Sequence, residues 1–137
     1  MACYEIKTSE LRTWVNPLDG TMWKCGPISE TEIFEAKAAG KTEQRSWEGD
    51  DLVHSLTLEQ AREFHVNRIA TLLDCPMEGQ IVLILENHVA PIKAYLNDGN
   101  HRLVAAYLRG DETVRAVVIA SALDTVLEVL PSAVLVA

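Results

Sequence analysis

The sequence predicts a small mixed α/β domain of the α+β class, because helical and strand patterns are interleaved in one short chain. Residues 58–74 carry apolar side chains at helical spacing. The run "IVLILE" at 81–86 is nearly continuously apolar and β-branched, which is typical of a strand buried on both faces. The 137 residues suffice for one core without disulfides or a structural metal, so we expect a single domain over residues 1–137.

The chain opens with a predicted strand and a brief helix. "CYEIKT" at 3–8 has strand composition, and "TSELRTW" predicts a turn into a helix that Thr8 or Ser9 would cap. Residues 15–28 hold two prolines and two glycines without periodicity, so we expect a loop there.

A capping-box pattern, Ser29 followed by Glu32, predicts the start of the second helix, and Gly40 lies where it would end. The polar stretch 41–55 predicts a long connection. It carries an aromatic residue and a short acidic run, Trp47, Glu48, Asp50 and Asp51.

The second half is more regular. Thr57 and Gln60 form another capping box for the helix 58–74, which Pro76 and Gly79 would end. "PIKAYLN" at 91–97 alternates apolar and polar residues and predicts a second strand of this half.

The last elements follow closely. Residues 100–109 predict a helix that stops at Gly110, and "TVRAVVIA" at 113–120 predicts a strand. Ser121 with Asp124 favours a cap for a final helix.

Composition narrows the function classes. The net charge of -8 and the pI near 4.9 lack the basic footprint of a nucleic-acid-binding protein, so we expect no specific DNA binding. No apolar run approaches the ~20 residues of a membrane span, and the start "MACYEIKTSEL" does not resemble a signal peptide, so we expect a cytoplasmic protein. Three widely spaced cysteines argue against a disulfide framework.

The stretch "YLNDGNHRLVAAYLRG" concentrates polar chemistry at one strand-to-helix turn, Asn97 to Arg102. Backbone N–H groups at a helix N-terminus lack intrahelical partners and carry partial positive charge, which favours anions. Gly99 permits a tight turn, Arg102 matches phosphate oxygens, and His101 adds a titratable group. The alternative is a purely structural turn, in which Asp98 or Asn100 caps the helix.

The segment "YLNDGNHRLVAAYLRGDETVRAVVI" resembles the signature of the ParB/sulfiredoxin superfamily, through its D-G-N-H-R turn and the G-x-x-R-x-x-A-A pattern from Gly99 to Ala106. Residues 57–120 resemble the family best, and residues 9–56 diverge from it. The resemblance implies a mixed sheet with flanking helices. It also implies that the turn binds the phosphates of ATP or CTP, with Mg²⁺, through Gly99, Asn100, His101 and Arg102, and that Asp98, His101 and Arg102 serve catalysis.

Two departures limit what the resemblance implies. Sulfiredoxins carry a catalytic cysteine directly before the His-Arg pair, where this chain has Asn100, which disfavours sulfinic acid repair. Partition proteins of the ParB type carry DNA-binding and dimerisation regions after this domain, whereas few residues follow Ala120 here.

Other polar residues have weaker patterns. The four histidines (His54, His65, His88 and His101) lack metal-ligand spacing. The acidic run at 48–51 is either a Mg²⁺ ligand set or a solvated loop. Three glutamates are either general bases or helix-start carboxylates: Glu10, Glu30 and Glu32. Trp14, Trp23 and Trp47 are partner anchors or core.

Two functions follow as hypotheses. The first is a stand-alone nucleotide-binding protein that hydrolyses a nucleoside triphosphate or transfers its phosphoryl group at the turn Asp98–Arg102. The second is a non-catalytic binding or inhibitor protein of a phage or mobile element, which uses the fold as a scaffold against a protein partner. The partner of such a protein could also be a second copy of the same chain, in a homodimer.

Overall fold

The fold is that of a computed structural model, which describes residues 2–45, 55–75, 77 and 79–136. The predictions that concern Trp47, Glu48, Asp50, Asp51, His54 and Pro76 lie outside these residues. The chain divides into two compact units, one formed by Met1–Asn16 with Met77–Ala137 and one formed by Pro17–Pro76. We name them the sheet unit and the helical unit.

The sheet unit contains a five-stranded mixed sheet, which confirms the predicted fold class. Its strands are β1 (Ala2–Lys7), β2 (Ile81–Glu86), β3 (Lys93–Asp98), β4 (Thr113–Ala120) and β5 (Val134–Leu135). They lie in the order β3-β2-β4-β1-β5, with β2 and β4 parallel and the other pairs antiparallel. The described residues of this unit also form three α-helices, α1 (Thr8–Trp14), α4 (Asn100–Arg109) and α5 (Val126–Val129), and a short 3-10 helix (Leu123–Thr125).

One face of the sheet forms the core of this unit. Its buried side chains alternate along the strands and pack with apolar residues of the helices, including Ile6, Leu83, Val118, Leu103 and Leu130. On β2 the opposite face is only half-buried, so the prediction of a strand buried on both faces is wrong for Val82, Ile84 and Glu86. That face carries a row of apolar side chains in register, Tyr95, Ile84 and Ile119.

The described residues of the helical unit form a short 3-10 helix (Pro17–Asp19) and two α-helices, α2 (Glu30–Ala38) and α3 (Leu58–Leu72). Both predicted capping boxes are confirmed, at Ser29 with Glu32 and at Thr57 with Gln60. Gly40 follows α2 with a φ of 73°, as expected for a helix C-terminus. No described helix has the length and apolar character needed to cross a membrane.

The predicted helix caps at Thr8 and Ser121 are wrong, because both hydroxyls form hydrogen bonds with residues far away in the sequence. Helix α1 begins after Lys7, which makes no side-chain cap bond, and Thr8 Oγ1 instead donates to the carbonyl of Asp111 at 2.6 Å. Ser121 does not cap a final helix, because its hydroxyl accepts hydrogen bonds from the backbone N–H groups of Asn87 and His88.

Candidate anion-binding turn

The five predicted site residues lie together at the junction of β3 and α4. Strand β3 ends at Asp98, and α4 begins at Asn100. Gly99 occupies the N-cap position with a φ of 100° and a ψ of 19°, in the left-handed region that favours glycine. Within the described part of the chain, no side-chain cap hydrogen bond is formed at this N-cap. The backbone N–H groups in the first turn of α4, which have no intrahelical acceptors, therefore lie at an exposed polar turn.

The sheet fixes the position of this turn. Asp98 is the register partner of Val82, and the pairing shifts between Val82 and Leu83. Gln80 and Ile81, at the start of β2, lie beside the turn. A Cβ atom added to Gly99 would lie 2.6 Å from Cγ2 of Ile81. Gly99 is thus required by packing as well as by its backbone angles.

Arg102 folds back across the turn. Its Nη2 atom donates to Oδ2 of Asp98 at 3.2 Å and to the carbonyl of Gln80 at 3.5 Å. The side chains of Arg102 and Asp98 remain 30% and 55% exposed, so solvent reaches this ion pair. Long, solvated contacts of this kind contribute little to stability, and a stronger acceptor can replace them.

Asn100 presents an unsatisfied acceptor at the same turn. Its Oδ1 atom is buried and has no hydrogen-bond partner in the described part of the chain. Buried side-chain oxygens are normally paired, so this atom is a candidate contact for a hydrogen-bond donor. His101 is half-buried in the same helical turn.

The structure adds two residues that the sequence did not indicate, Gln80 and Ile81. They contact the turn only because the sheet pairs Val82 with Asp98. A one-dimensional pattern carries no signal for such a contact, since it depends on strand register.

A second polar cluster lies at the carboxyl ends of the parallel strands β2 and β4. His88 Nδ1 lies 2.6 Å from Ser121 Oγ, and the Asn87 side chain bonds both the N–H and the carbonyl of Ala122, each at 2.8 Å. Asn87 also donates to Thr125 Oγ1 at 2.8 Å. These bonds join the two strand ends and give the cluster a structural role.

The three candidate general bases have different surroundings. Glu10 accepts hydrogen bonds from the N–H and hydroxyl of Ser132 at 3.0 and 2.7 Å, and Glu30 lies in the first turn of α2. Glu32 is committed to the α2 cap and to Arg62 at 2.8 Å; the backbone N–H of Ser29 is the main reason that its pKa is lowered. None of these contacts points to a reacting substrate.

The aromatic and histidine candidates are mostly core residues. Trp23 is buried and stacks on His65, with ring centroids 4.2 Å apart, while Trp14 packs partly buried on the sheet core. His65 is fully buried, and burial lowers its pKa to about 4. Across the described ranges no group of three or more His, Cys, Asp or Glu side chains is placed to hold a metal ion.

Comparisons with family models, with curated proteins and with solved structures find no match to this chain.

Proposed function

We propose that the turn Asp98–Arg102 binds the phosphates of a nucleoside triphosphate, ATP or CTP, together with Mg²⁺. The observation that carries this proposal is the uncapped start of α4 on Gly99, with Arg102 one turn away. A helix N-terminus with an adjacent guanidinium suits phosphate oxygens, since backbone N–H groups and a planar fork donate to them together. The resemblance of the D-G-N-H-R turn to the ParB/sulfiredoxin superfamily points to the same ligand.

The charge balance at the turn explains why Mg²⁺ belongs to the proposal. A phosphate that takes over Arg102 leaves the Asp98 carboxylate beside new negative charge, which is unfavourable. Asp98 is exposed and fits a single carboxylate ligand of a Mg²⁺ ion whose other ligands are phosphate oxygens and water. In this proposal the Mg²⁺ ion arrives bound to the nucleotide, and Asp98 adds one ligand to it.

Asn100 supports a nucleotide over inorganic phosphate. Its buried Oδ1 accepts hydrogen bonds but cannot donate them, and a fully ionised phosphate has no donor to offer. A ribose hydroxyl or a base amino group has one. We therefore expect triphosphates to bind more tightly than pyrophosphate.

Catalysis by this site would be phosphoryl transfer. In hydrolysis, the oxygen of a water molecule forms a bond to the γ-phosphorus as the bond to the bridging oxygen breaks, and the nucleoside diphosphate leaves. Arg102 is placed to stabilise charge on the transferring group, and His101 to exchange a proton. Asp98 would orient the bound cation.

A thermal-shift screen with ATP, CTP and GTP, each with Mg²⁺, tests the proposal. A ligand that binds only the native state stabilises it by about 2.7 kcal/mol at a hundredfold excess over Kd, which raises Tm by several degrees. Arg102→Ala should abolish the shift. Arg115→Ala, which removes the same charge from an exposed position on β4, should leave it intact. Loss of the shift in both variants, or no shift with any triphosphate at millimolar concentration, contradicts the proposal.

A second candidate function is a non-catalytic scaffold that binds a protein partner, as expected for an inhibitor protein of a phage or mobile element. The row of Tyr95, Ile84 and Ile119 favours it, because Tyr95 and Ile119 are 45% and 38% exposed on the sheet face opposite the core. Apolar rows on exposed sheet faces are common in interaction surfaces. Tyr95→Lys would then abolish partner capture without changing the nucleotide response.

A further inference from the structure

A serine and a histidine meet at the carboxyl ends of the parallel strands β2 and β4. Ser121 directly follows β4, and His88 lies two residues after the end of β2. Ser121 Oγ lies 2.6 Å from His88 Nδ1, and both side chains are exposed. In open sheets with parallel strands, ligands commonly bind beyond the carboxyl ends of those strands. We name these two residues the serine–histidine pair.

The surrounding hydrogen bonds determine which member of the pair is the donor. The backbone N–H groups of Asn87 and His88 donate to Ser121 Oγ at 3.0 and 3.2 Å. A hydroxyl oxygen has two lone pairs and one proton, so both lone pairs are occupied and Ser121 is the donor. Its proton has two acceptors in reach, Asn87 Oδ1 at 3.3 Å and His88 Nδ1 at 2.6 Å. The shorter distance makes Nδ1 the main acceptor.

The pair therefore has the parts of an activated nucleophile. A serine hydroxyl becomes reactive when a neighbouring base can accept its proton, and Nδ1 lies within hydrogen-bond reach. The side chain of Asn87 fixes the backbone beside the serine, because it bonds both the N–H and the carbonyl of Ala122 at 2.8 Å. The two backbone N–H groups stabilise the negative charge that develops on Oγ as the proton leaves.

The longer of the two backbone hydrogen bonds gives access to a reacting carbon. An acyl carbon that approaches Oγ would replace the N–H of His88, which is held at 3.2 Å. The freed N–H group is then available to the carbonyl oxygen of the substrate, on which negative charge develops during attack.

Apolar side chains adjoin the pair along the chain. Val89 follows His88, and Leu123 is two residues after Ser121. They are 58% and 64% exposed. A short apolar acyl chain bound at the pair would remove part of this surface from water, which is favourable.

We propose that Ser121 is a nucleophile for acyl transfer and that His88 is its general base, with carboxylic esters of short apolar acids as the substrate class. The Oγ atom forms a bond to the acyl carbon while the bond from that carbon to the alcohol oxygen breaks. The proton of Ser121 passes to His88 Nδ1 and then to the departing alcohol. Water next adds to the acyl carbon and gives a proton to Nδ1, which returns it to Oγ as the carboxylic acid leaves.

Covalent labelling of the full chain tests the proposal. A fluorophosphonate probe forms a bond to an activated serine oxygen with loss of fluoride, and p-nitrophenyl butyrate releases p-nitrophenolate on acylation. We expect a phosphonate adduct on Ser121 in the peptide map and measurable release of p-nitrophenolate. The absence of an adduct, or an adduct on other residues only, overturns the proposal.

Three variants separate the pair from general surface reactivity. Ser121→Ala should abolish the adduct and the release. His88→Asn should slow both by about a hundredfold, because the asparagine oxygen can accept the hydroxyl hydrogen bond but cannot take the proton. Ser9→Ala removes an exposed hydroxyl of α1 and should change neither rate.

Thermal unfolding of each variant shows whether it is folded. If Ser121→Ala is unfolded, the peptide map of the natural chain and the rates of His88→Asn still decide the question. An unchanged rate in His88→Asn, or the same slowing in Ser9→Ala, overturns the proposal.

Discussion

Arg102 Nη2 lies 3.2 Å from Asp98 Oδ2, so the guanidinium that would contact a phosphate is held by the carboxylate four residues before it. The pair is solvated on both sides, and an exposed i,i+4 pair contributes only about 0.3–0.5 kcal/mol to stability. Asp98 therefore competes with an anion for Arg102 at low energetic cost. This relationship leads to the first prediction.

Asp98→Asn should change ligand binding and leave stability nearly unchanged. The variant removes the carboxylate that competes for Arg102, so triphosphate alone should bind more tightly than to the natural chain. It also removes the proposed Mg²⁺ ligand, so the gain in affinity on adding Mg²⁺ should shrink. Isothermal titration of ATP and CTP with and without Mg²⁺ measures both effects. An undiminished Mg²⁺ gain would show that Asp98 does not hold the ion.

Gly99→Ala should destabilise the protein more than Gly110→Ala. Both glycines have positive φ, 100° and 78°, so each alanine incurs a backbone cost of about 1 kcal/mol. Only the Cβ at position 99 meets a neighbour, Ile81 Cγ2 at 2.6 Å, whereas nothing lies within 4 Å of one at position 110. Overpacking should add about 1–3 kcal/mol at Gly99. Urea unfolding of the two variants measures the difference, and equal losses would refute the close contact.

His65 should make stability fall in mild acid. Its folded pKa of about 4 lies below the ordinary 6.5, so the unfolded chain binds a proton that the folded chain excludes. Stability from this residue is complete above pH 6.5 and declines as the pH falls toward 4, by about 3 kcal/mol in all.

The control for this effect is His65→Phe, which keeps an aromatic ring against Trp23 and does not titrate. The difference in unfolding free energy between the two proteins, followed from pH 7.5 to pH 4, isolates the histidine from the carboxylates. A constant difference over this range would contradict the assignment.

Asn87→Ala should cost about 2–3 kcal/mol, because it removes four side-chain hydrogen bonds, with Ser121, Ala122 and Thr125, that join the ends of β2 and β4. Asn87→Asp should not restore stability, since a carboxylate cannot donate to the Ala122 carbonyl. Asn97→Ala is the control, because Asn97 is exposed and makes no side-chain hydrogen bond within the described residues. Thermal unfolding ranks the three variants, and similar losses for Asn87→Ala and Asn97→Ala would exclude this role.

The parts of the fold that local rules determine could be predicted from sequence. The capping boxes at Ser29 and Thr57, the helix 100–109 and its stop at Gly110 each depend on residues within a few positions of one another. The polar turn was located for the same reason, since strand, glycine and helix start are contiguous. Its chemical role stays a prediction.

Features that depend on distant partners were missed. Thr8 and Ser121 are residue types that commonly cap helices. Each hydroxyl instead forms a hydrogen bond with a residue far away in the sequence, Thr8 with Asp111 and Ser121 with Asn87. Strand β5 is two residues long and exists through its pairing with Tyr4 and Glu5. The contact of Arg102 with Gln80 likewise depends on register, and register is not encoded in any short window.

The antiparallel pairing of β1 with β4 implies a delay during synthesis on the ribosome. Thr113 Oγ1 donates to Glu5 Oε1 across 108 positions of the chain, at 2.7 Å. At ~5–20 residues per second, translation takes ~5–20 s to reach the partner of β1, about 108 positions later in the chain. Until then β1 presents unpaired backbone edges that other nascent chains could engage. Helices α2 and α3 are complete by Leu72, so they can form on the ribosome before β4 has been synthesised to pair with β1.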